Sequence, residues 1–406
     1  MKKVIIYFCF LLLIKASNAQ SLKNFETITD STLQHILLNK DPLLDQVLKN
    51  PSKYYFQLIY TKVEKRDNKI NYHTYSINQG NQYYYPASLI KFPLTFVALE
   101  KLTSLKDSGV NINDSISVNT CSCDFATNNY VSKHRNPTML QFLREMMIMS
   151  NNDAYNLYFD FVGRDLFNAR MHSMNIFDIQ MKNRFTGGCG EENNKSSGGI
   201  TFNKNNADKA YTVPCSKSIQ NWIIDSIKYP VFFETKSYYK KKVVTNKQNN
   251  AANNYVSLLQ AHLLLINLMH PNTGFYKNDF NIDASYKKEF IKAIGSFPRE
   301  LEMSSYDTAK LPDYYYKFFI DPKVIQTKDN NIRVYNKVGL ASGFVSDVSY
   351  FYDSTNQIEY FISAAILSKK ANSNENNYND WVIPILRKIG GLIYTDELYN
   401  IKNGKK

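Results

Sequence analysis

YYYPASLIKFPLTFVALEKL, residues 83–102, decides how the rest of the chain is read. Pro86 and Ala87 lead into a run that is apolar on almost every side, which predicts a buried helix over 88–105. Ser88 opens that helix and Lys91 follows three residues later, so both side chains share one helix face. A serine hydroxyl is a poor nucleophile until a neighbouring base takes its proton. A lysine desolvated by apolar surroundings has its pKa lowered toward that task. The spacing alone is weak evidence: S-x-x-K recurs at Ser237/Lys240 and Ser285/Lys288, and a lone serine here reads as a helix N-cap.

Two further stretches raise its weight. MIMSNNDAYNLYFDFVG (147–163) places Ser150-Asn151-Asn152 at the junction of two apolar helices. VYNKVGLASGFVSDVSYF (334–351) puts Lys337-Val338-Gly339 at the end of one strand, before a turn into the next. Each triplet is common by itself. In this order, each at an element's end, they bring a second lysine, a second serine and an amide toward Ser88.

The surrounding chain supports a sheet split in sequence. Tyr54–Val63 and Ile70–Ile77 are rich in aromatic and β-branched residues and read as a hairpin; Asn331–Val338, Phe344–Tyr352 and Ile358–Leu367 read as three more strands. Helical spacing runs through 25–50, then 88–105, 138–149, 152–162, 165–174, 217–228, 253–269 and 284–295, with a closing helix over 381–389. Two strands at the start and three at the end, enclosing helices, give an α+β fold. The expected architecture is a five-stranded antiparallel sheet flanked by helices (about 45–85 and 330–395) with an all-helical lobe over about 86–329.

On these motifs the chain resembles the serine β-lactamase and penicillin-recognising enzyme superfamily. It is closest to the class A branch, whose signature is S-x-x-K, S-D-N and K-T-G. The likeness covers most of the chain and is strongest over 83–185 and 331–390. It implies Ser88 as acylated nucleophile and Lys91 as its activating neighbour. Ser150 would relay a proton to the leaving nitrogen, and Asn152 would bind Lys91 and the substrate amide. Lys337 would supply positive charge for a substrate carboxylate. The oxyanion hole would be the backbone N–H groups of Ser88 and Leu340, with Gly339 and Ser342 bordering the substrate. Asp347 matches an acidic position of the pattern, with a mainly structural role.

Three departures bear on the activity. Asn151 stands for the usual Asp, and Val338 for the Thr or Ser whose hydroxyl touches the substrate carboxylate, a loss Ser342 is placed to offset. Arg184 falls where the family's loop arginine would, but Thr186 occupies the position of the deacylating glutamate; Glu191 and Glu192 are the nearest substitutes. The expected activity is β-lactam hydrolysis. The alternative is a D,D-peptidase-like or esterase-like hydrolase of cell-wall peptides that β-lactams acylate but leave slowly. A non-catalytic binding module is the outsider.

The 406 residues are 44% hydrophobic and 21% charged, which excludes disordered and fibrous classes. Lys2-Lys3, the apolar run Val4–Ile14 and the small residues Ser17-Asn18-Ala19 form a signal-peptide pattern over 1–19, so residues 20–406 are expected as a periplasmic or secreted hydrolase domain. In an oxidising compartment Cys121, Cys123, Cys189 and Cys215 are read as disulfide formers, bridging the Cys121/Cys123 pair to Cys189 and Cys215 with the pairing open. A zinc site using Cys121, Cys123 and His134 lacks a second ligand pair, and neither metal nor organic cofactor is expected. The net charge of +13 comes from scattered lysines, not an Arg-rich stripe. The expected partner is therefore a small-molecule substrate (a β-lactam or cell-wall peptide), with no nucleic acid, no membrane span after the signal and a monomeric state.

Overall fold

The structure is a computed structural model that describes residues 27–29, 31–66, 69–80, 82–119, 121, 125–185, 190–203, 210–220, 222, 232–239, 242–249, 253–271, 273–276, 278–301, 307, 310–328, 331–368 and 378–404. The 1–19 signal pattern, Cys123, Thr186 and Cys189 lie outside these residues.

A short strand β1 (Thr27–Thr29) precedes α1 (Ser31–Leu37), α2 (Pro42–Lys49) and the hairpin β2 (Gln57–Arg66) and β3 (Lys69–Ile77). The chain then forms α3 (Lys91–Ser104), β4 (Ser115–Val118), α4 (Phe125–Ser132), α5 (Met139–Ile148), α6 (Asn152–Val162) and α7 (Arg164–Ser173). Shorter pieces follow: β5 (Ile179–Gln180), α8 (Gly190–Asn194), β6 (Ser196–Ser197), β7 (Ile200–Asn203), β8 (Tyr211–Val213) and β9 (Ser216–Lys217). After the hairpin β10 (Phe232–Tyr239) and β11 (Lys242–Asn249) come β12 (Tyr255–Val256), α9 (Leu258–Met269) and α10 (Ala284–Gly295). The chain returns to the sheet as β13 (Ile332–Ala341), β14 (Phe344–Asp353) and β15 (Ile358–Leu367), and closes with α11 (Ile383–Lys402).

The central sheet runs β1-β3-β2-β15-β14-β13. The five expected strands pair antiparallel, as read from the sequence. A sixth, β1, adds to the β3 edge in parallel, with Thr27 opposite Thr74. Successive strand residues face opposite sides, so the sheet separates two cores. Ile59, Phe344, Val348 and Phe361 join the helical lobe's core around α3, α5, α6 and α9. Leu58, Tyr60, Val345 and Ile362 pack instead against α1, α2 and α11. His262 of α9 is a core histidine, its Nε2 2.8 Å from Thr61 Oγ1 and its Nδ1 2.7 Å from Ser363 Oγ.

Several sequence expectations change. The 25–50 helix is a strand and two helices, because Asp41 caps α2 by accepting from Leu43 and Leu44 N–H and Pro42 follows it. Residues 216–217 pair as β9 with Ser196–Ser197, so no helix starts at 217; residues 223–231 lie outside the described set. The 253–269 helix starts at Leu258, since Ser257 caps it and Tyr255–Val256 pair with β5. The lobe between the sheet's halves is helical at its centre and also carries the three-stranded sheet β4-β7-β8. No helix among the described residues is long and apolar enough to cross a membrane.

A Cβ on Gly390 of α11 would collide with the backbone carbonyl of Phe319. Gly→Ala in a helix ordinarily stabilises. Here Gly390→Ala is expected to destabilise by about 1–3 kcal/mol through overpacking, read as a lower midpoint of thermal unfolding; a raised midpoint would contradict this close packing.

Candidate active site

Ser88 lies in a single 3-10 turn, Ala87–Ile90, that feeds directly into α3. Ala87 adopts a positive φ of 46°, which sharpens the turn and leaves the Ser88 side chain half-buried while its neighbours are buried. Lys91, the first residue of α3, is wholly enclosed. Its Nζ lies 2.9 Å from Ser88 Oγ, 2.7 Å from Asn152 Oδ1 and 3.4 Å from Ser150 Oγ, and it donates to the Ser150 carbonyl. Burial, followed by the nearby charge of Lys337, holds the Lys91 amine well below the usual lysine range, and Asp153 acts weakly the other way.

Ser150 sits between α5 and α6 with φ 55°. The turn is held from both sides: Asn151 N donates to Glu145 O, and the Asn151 side chain caps α6 by accepting from Ala154 N. Asn151, where an Asp was expected, thus keeps the capping role. From the sheet, Lys337 Nζ donates to Ser150 Oγ at 2.8 Å and to Val338 O at 3.0 Å. Lys337 is buried, and burial lowers its amine to about 7; Asp347 pulls upward and Lys317 pushes down. The structure therefore brings Ser88, Lys91, Ser150, Asn152 and Lys337 together.

Gly339 explains how β13 reaches the Ser88 turn. A Cβ there would collide with the Pro86 carbonyl and lie 2.6 Å from Ser346 Oγ, so only glycine allows the strand to press this close. Leu340 follows it on β13, opposite Val345, and Ser342 occupies the β13–β14 turn at φ 52°. Val338 points to the other side of the sheet, into the core shared with Val345.

The loop after β5 is pinned to α6. Arg184 pairs with Asp160 and donates to Asn193 O and Ser196 O. Asn156 donates to Phe185 O and accepts from Phe185 N, so the backbone of Phe185 is clamped. The Phe185 ring packs on Tyr155 at 4.5 Å and stands 5.2 Å from Lys91 Nζ. All of the Lys91 hydrogen bonds go to Ser88, Ser150 and Asn152; among the described residues no carboxylate joins them. Glu192 is exposed and paired with Lys195 at 2.6 Å and Lys217 at 3.4 Å, which draws its carboxyl below the usual range. Glu191 is also exposed, on the side of Arg164 and Lys182.

Cys121 is bonded to Cys215, one of the pairings left open, so its sulfur is closed to a metal. His134 Nε2 lies 3.2 Å from the buried Glu145, and no metal-ligand cluster occurs among the described residues. Sequence reading missed Phe185 and Lys317. Each had a faint signal: Phe185 directly follows the loop arginine, and Lys317 is a lone cation in the apolar run Tyr314–Ile320.

Residues 45–215 match the family model described as the β-lactamase enzyme family. Similar solved structures include the last common ancestor of Gram-negative bacteria β-lactamase class A, 10% identical, covering 90% of this chain and 99% of that one with a TM-score of 0.48. A class A β-lactamase from Mycobacterium abscessus is 9% identical, covering 87% of this chain and 98% of that one with a TM-score of 0.46. A β-lactamase from Burkholderia ambifaria is 9% identical, with the same two coverages and a TM-score of 0.47. No curated protein matches the chain.

Gly339→Ala is expected to push the Pro86–Ser88 turn away from β13. Acylation of Ser88 by a small activated ester should fall by about 10²-fold, as displacement of reacting groups predicts, with the circular dichroism spectrum retained. An unchanged rate would show that the strand does not set the turn.

Proposed function

We propose that this chain, whose residues 45–215 match the β-lactamase enzyme family, is a serine hydrolase that opens β-lactam rings through an acyl-enzyme on Ser88. The observation that carries the reading is the Lys91 amine, buried, kept below its ordinary pKa and 2.9 Å from the Ser88 hydroxyl. An amine held neutral can take the hydroxyl proton as Oγ attacks the lactam carbonyl. The carbonyl oxygen becomes an oxyanion, for which the backbone N–H groups of Ser88 and Leu340 are the assigned donors. When the C–N bond breaks, the ring nitrogen takes a proton from Ser150 Oγ, which Lys337 Nζ replenishes across 2.8 Å. Asn152 holds Lys91 and the substrate amide; Lys337, Gly339 and Ser342 border the substrate carboxylate.

Release of the acid product requires water to attack the ester. In the first reading Glu191 or Glu192 orients that water and turnover is continuous. A second reading is favoured by Phe185, whose ring stands beside Lys91 where a carboxylate would be needed, and by the surface ion pairs of Glu192. In that case the ester persists, and the natural substrates are cell-wall peptides. Both readings treat residues 20–406 as one catalytic unit of two lobes, acting as a monomer outside the cytoplasm. The Cys121–Cys215 bridge suits an oxidising compartment.

Incubation with a penicillin should add the drug's mass to the protein at Ser88, and Ser88→Ala should abolish the adduct; a wild-type chain that gains no mass sinks the proposal. Chromogenic cephalosporin then separates the readings, with many turnovers supporting hydrolysis and one stoichiometric burst supporting the persistent ester. Lys91→Met should slow acylation by about 10²–10⁴-fold. Since the neutral amine is the active form, the wild-type acylation rate should rise with pH through the Lys91 midpoint and fall as acid protonates it.

A further inference from the structure

Lys317 is a fully enclosed cation with no part in the chemistry above. It lies in the segment 310–328 that precedes β13, is only 4% exposed, and spends its three N–H bonds on Ile294 O at 3.0 Å, Val334 O at 2.7 Å and Asn336 Oδ1 at 2.8 Å. With Oδ1 of Asn336 committed to the ammonium, Nδ2 of the same amide must turn the other way. It donates to Tyr316 O at 2.8 Å and Asp347 Oδ1 at 3.0 Å. Asp347 is itself buried, and accepts further from Ser349 Oγ at 2.9 Å and Phe318 N at 2.8 Å. It stands opposite Val338 in the β13–β14 ladder, one position from Lys337.

The charges around this chain do not cancel. Asp347, Glu300, Asp313 and Arg333 all act on Lys317, and the ring of Phe297 lies 5.6 Å from its Nζ. Glu300 is paired with Arg333 at 2.7 Å and Asp313 with Arg299 at 2.8 Å, so both acids already have cations. Asp347, tied to Asn336 beside Lys337 in the chain, remains as the carboxylate whose charge acts on both Lys317 and Lys337, and Lys91 adds a third buried amine beyond Lys337. One carboxylate cannot fully stabilise two ammonium groups removed from water.

We propose that Lys317 is a positioning residue for the reaction, acting through Asn336 and the shared carboxylate of Asp347 to limit the pH range over which Lys337 carries its proton. This inference rests on the acylation reading given above. Lys337 must be charged to supply Ser150 and to attract an anionic substrate, so acylation declines on the alkaline side as Lys337 loses its proton. The Lys317 charge brings that decline to lower pH, and Asp347 works against it. Burial lowers both lysines to about 7, which puts the competition near neutral pH.

The test is the pH dependence of Ser88 acylation, followed by the burst of a chromogenic cephalosporin and by intact mass. Lys317→Met should move the alkaline limb up by about one pH unit, equivalent to about tenfold faster acylation on that limb. Lys317→Gln, which keeps a hydrogen-bond donor but no charge, should move it the same way. Asp347→Asn should move it down. If wild type forms the Ser88 adduct but neither Lys317 variant shifts the alkaline limb, Lys317 is structural only and the proposal is overturned. It is overturned equally if Lys317→Gln keeps the wild-type limb, or if Asp347→Asn moves in the same direction as Lys317→Met. Should Lys317→Met not fold, Lys317→Gln and Asp347→Asn decide the matter. Absence of any adduct in wild type is a different result, and sinks the acylation reading instead.

Discussion

The Lys91 amine is the point on which the site's assembly depends. It lies on the first turn of α3, yet its partners come from a turn before that helix and from the α5–α6 junction about sixty residues further on. An amine taken out of water must find acceptors or lose its charge. Here it has both remedies: the Ser150 carbonyl and Asn152 Oδ1 accept its protons, and its pKa falls. The same demand thus fixes the α5–α6 turn against α3 and leaves an amine of lowered pKa beside the Ser88 hydroxyl.

The sheet contributes the opposite face of the pocket through a similar device. Lys337 is sunk at the end of β13, and its hydrogen bond to Ser150 joins the strand to the helical lobe. Gly339 lets the strand lie against the Pro86 carbonyl, and period-2 alternation sends Val338 into the far core while Lys337 and Gly339 face the turn. The candidate site is therefore a seam between two cores, assembled from α3, the α5–α6 turn and β13.

Much of this was legible in the chain because its signals are local. An apolar helix with Ser88 and Lys91 on one face, and strands whose β-branched and aromatic residues alternate, depend on neighbours a few positions away. Boundaries of α10 and β15 came out as read. What escaped depends on distant partners. Thr27–Thr29 is a strand only because β3 offers a free edge, and Ser216–Lys217 only because Ser196–Ser197 lies opposite. The place of Phe185 beside Lys91 is set by Asn156, twenty-nine residues away, and no periodicity encodes that clamp.

The buried lysines show the same limit from the side of electrostatics. A sequence presents Lys317 and Lys337 as two ordinary basic residues among forty-nine. Only folding removes them from water and leaves one buried carboxylate, Asp347, whose charge acts on both, while cations such as Lys195 pair with exposed acids such as Glu192. Net charge counts both kinds alike, and so it says little about the site. The effective field at Ser150 and Ser88 is that of the few groups sealed inside, where low polarisability makes each of them count more. The electrostatics of this seam therefore follow from which charges the fold encloses, and the lysine-rich surface has little part in them.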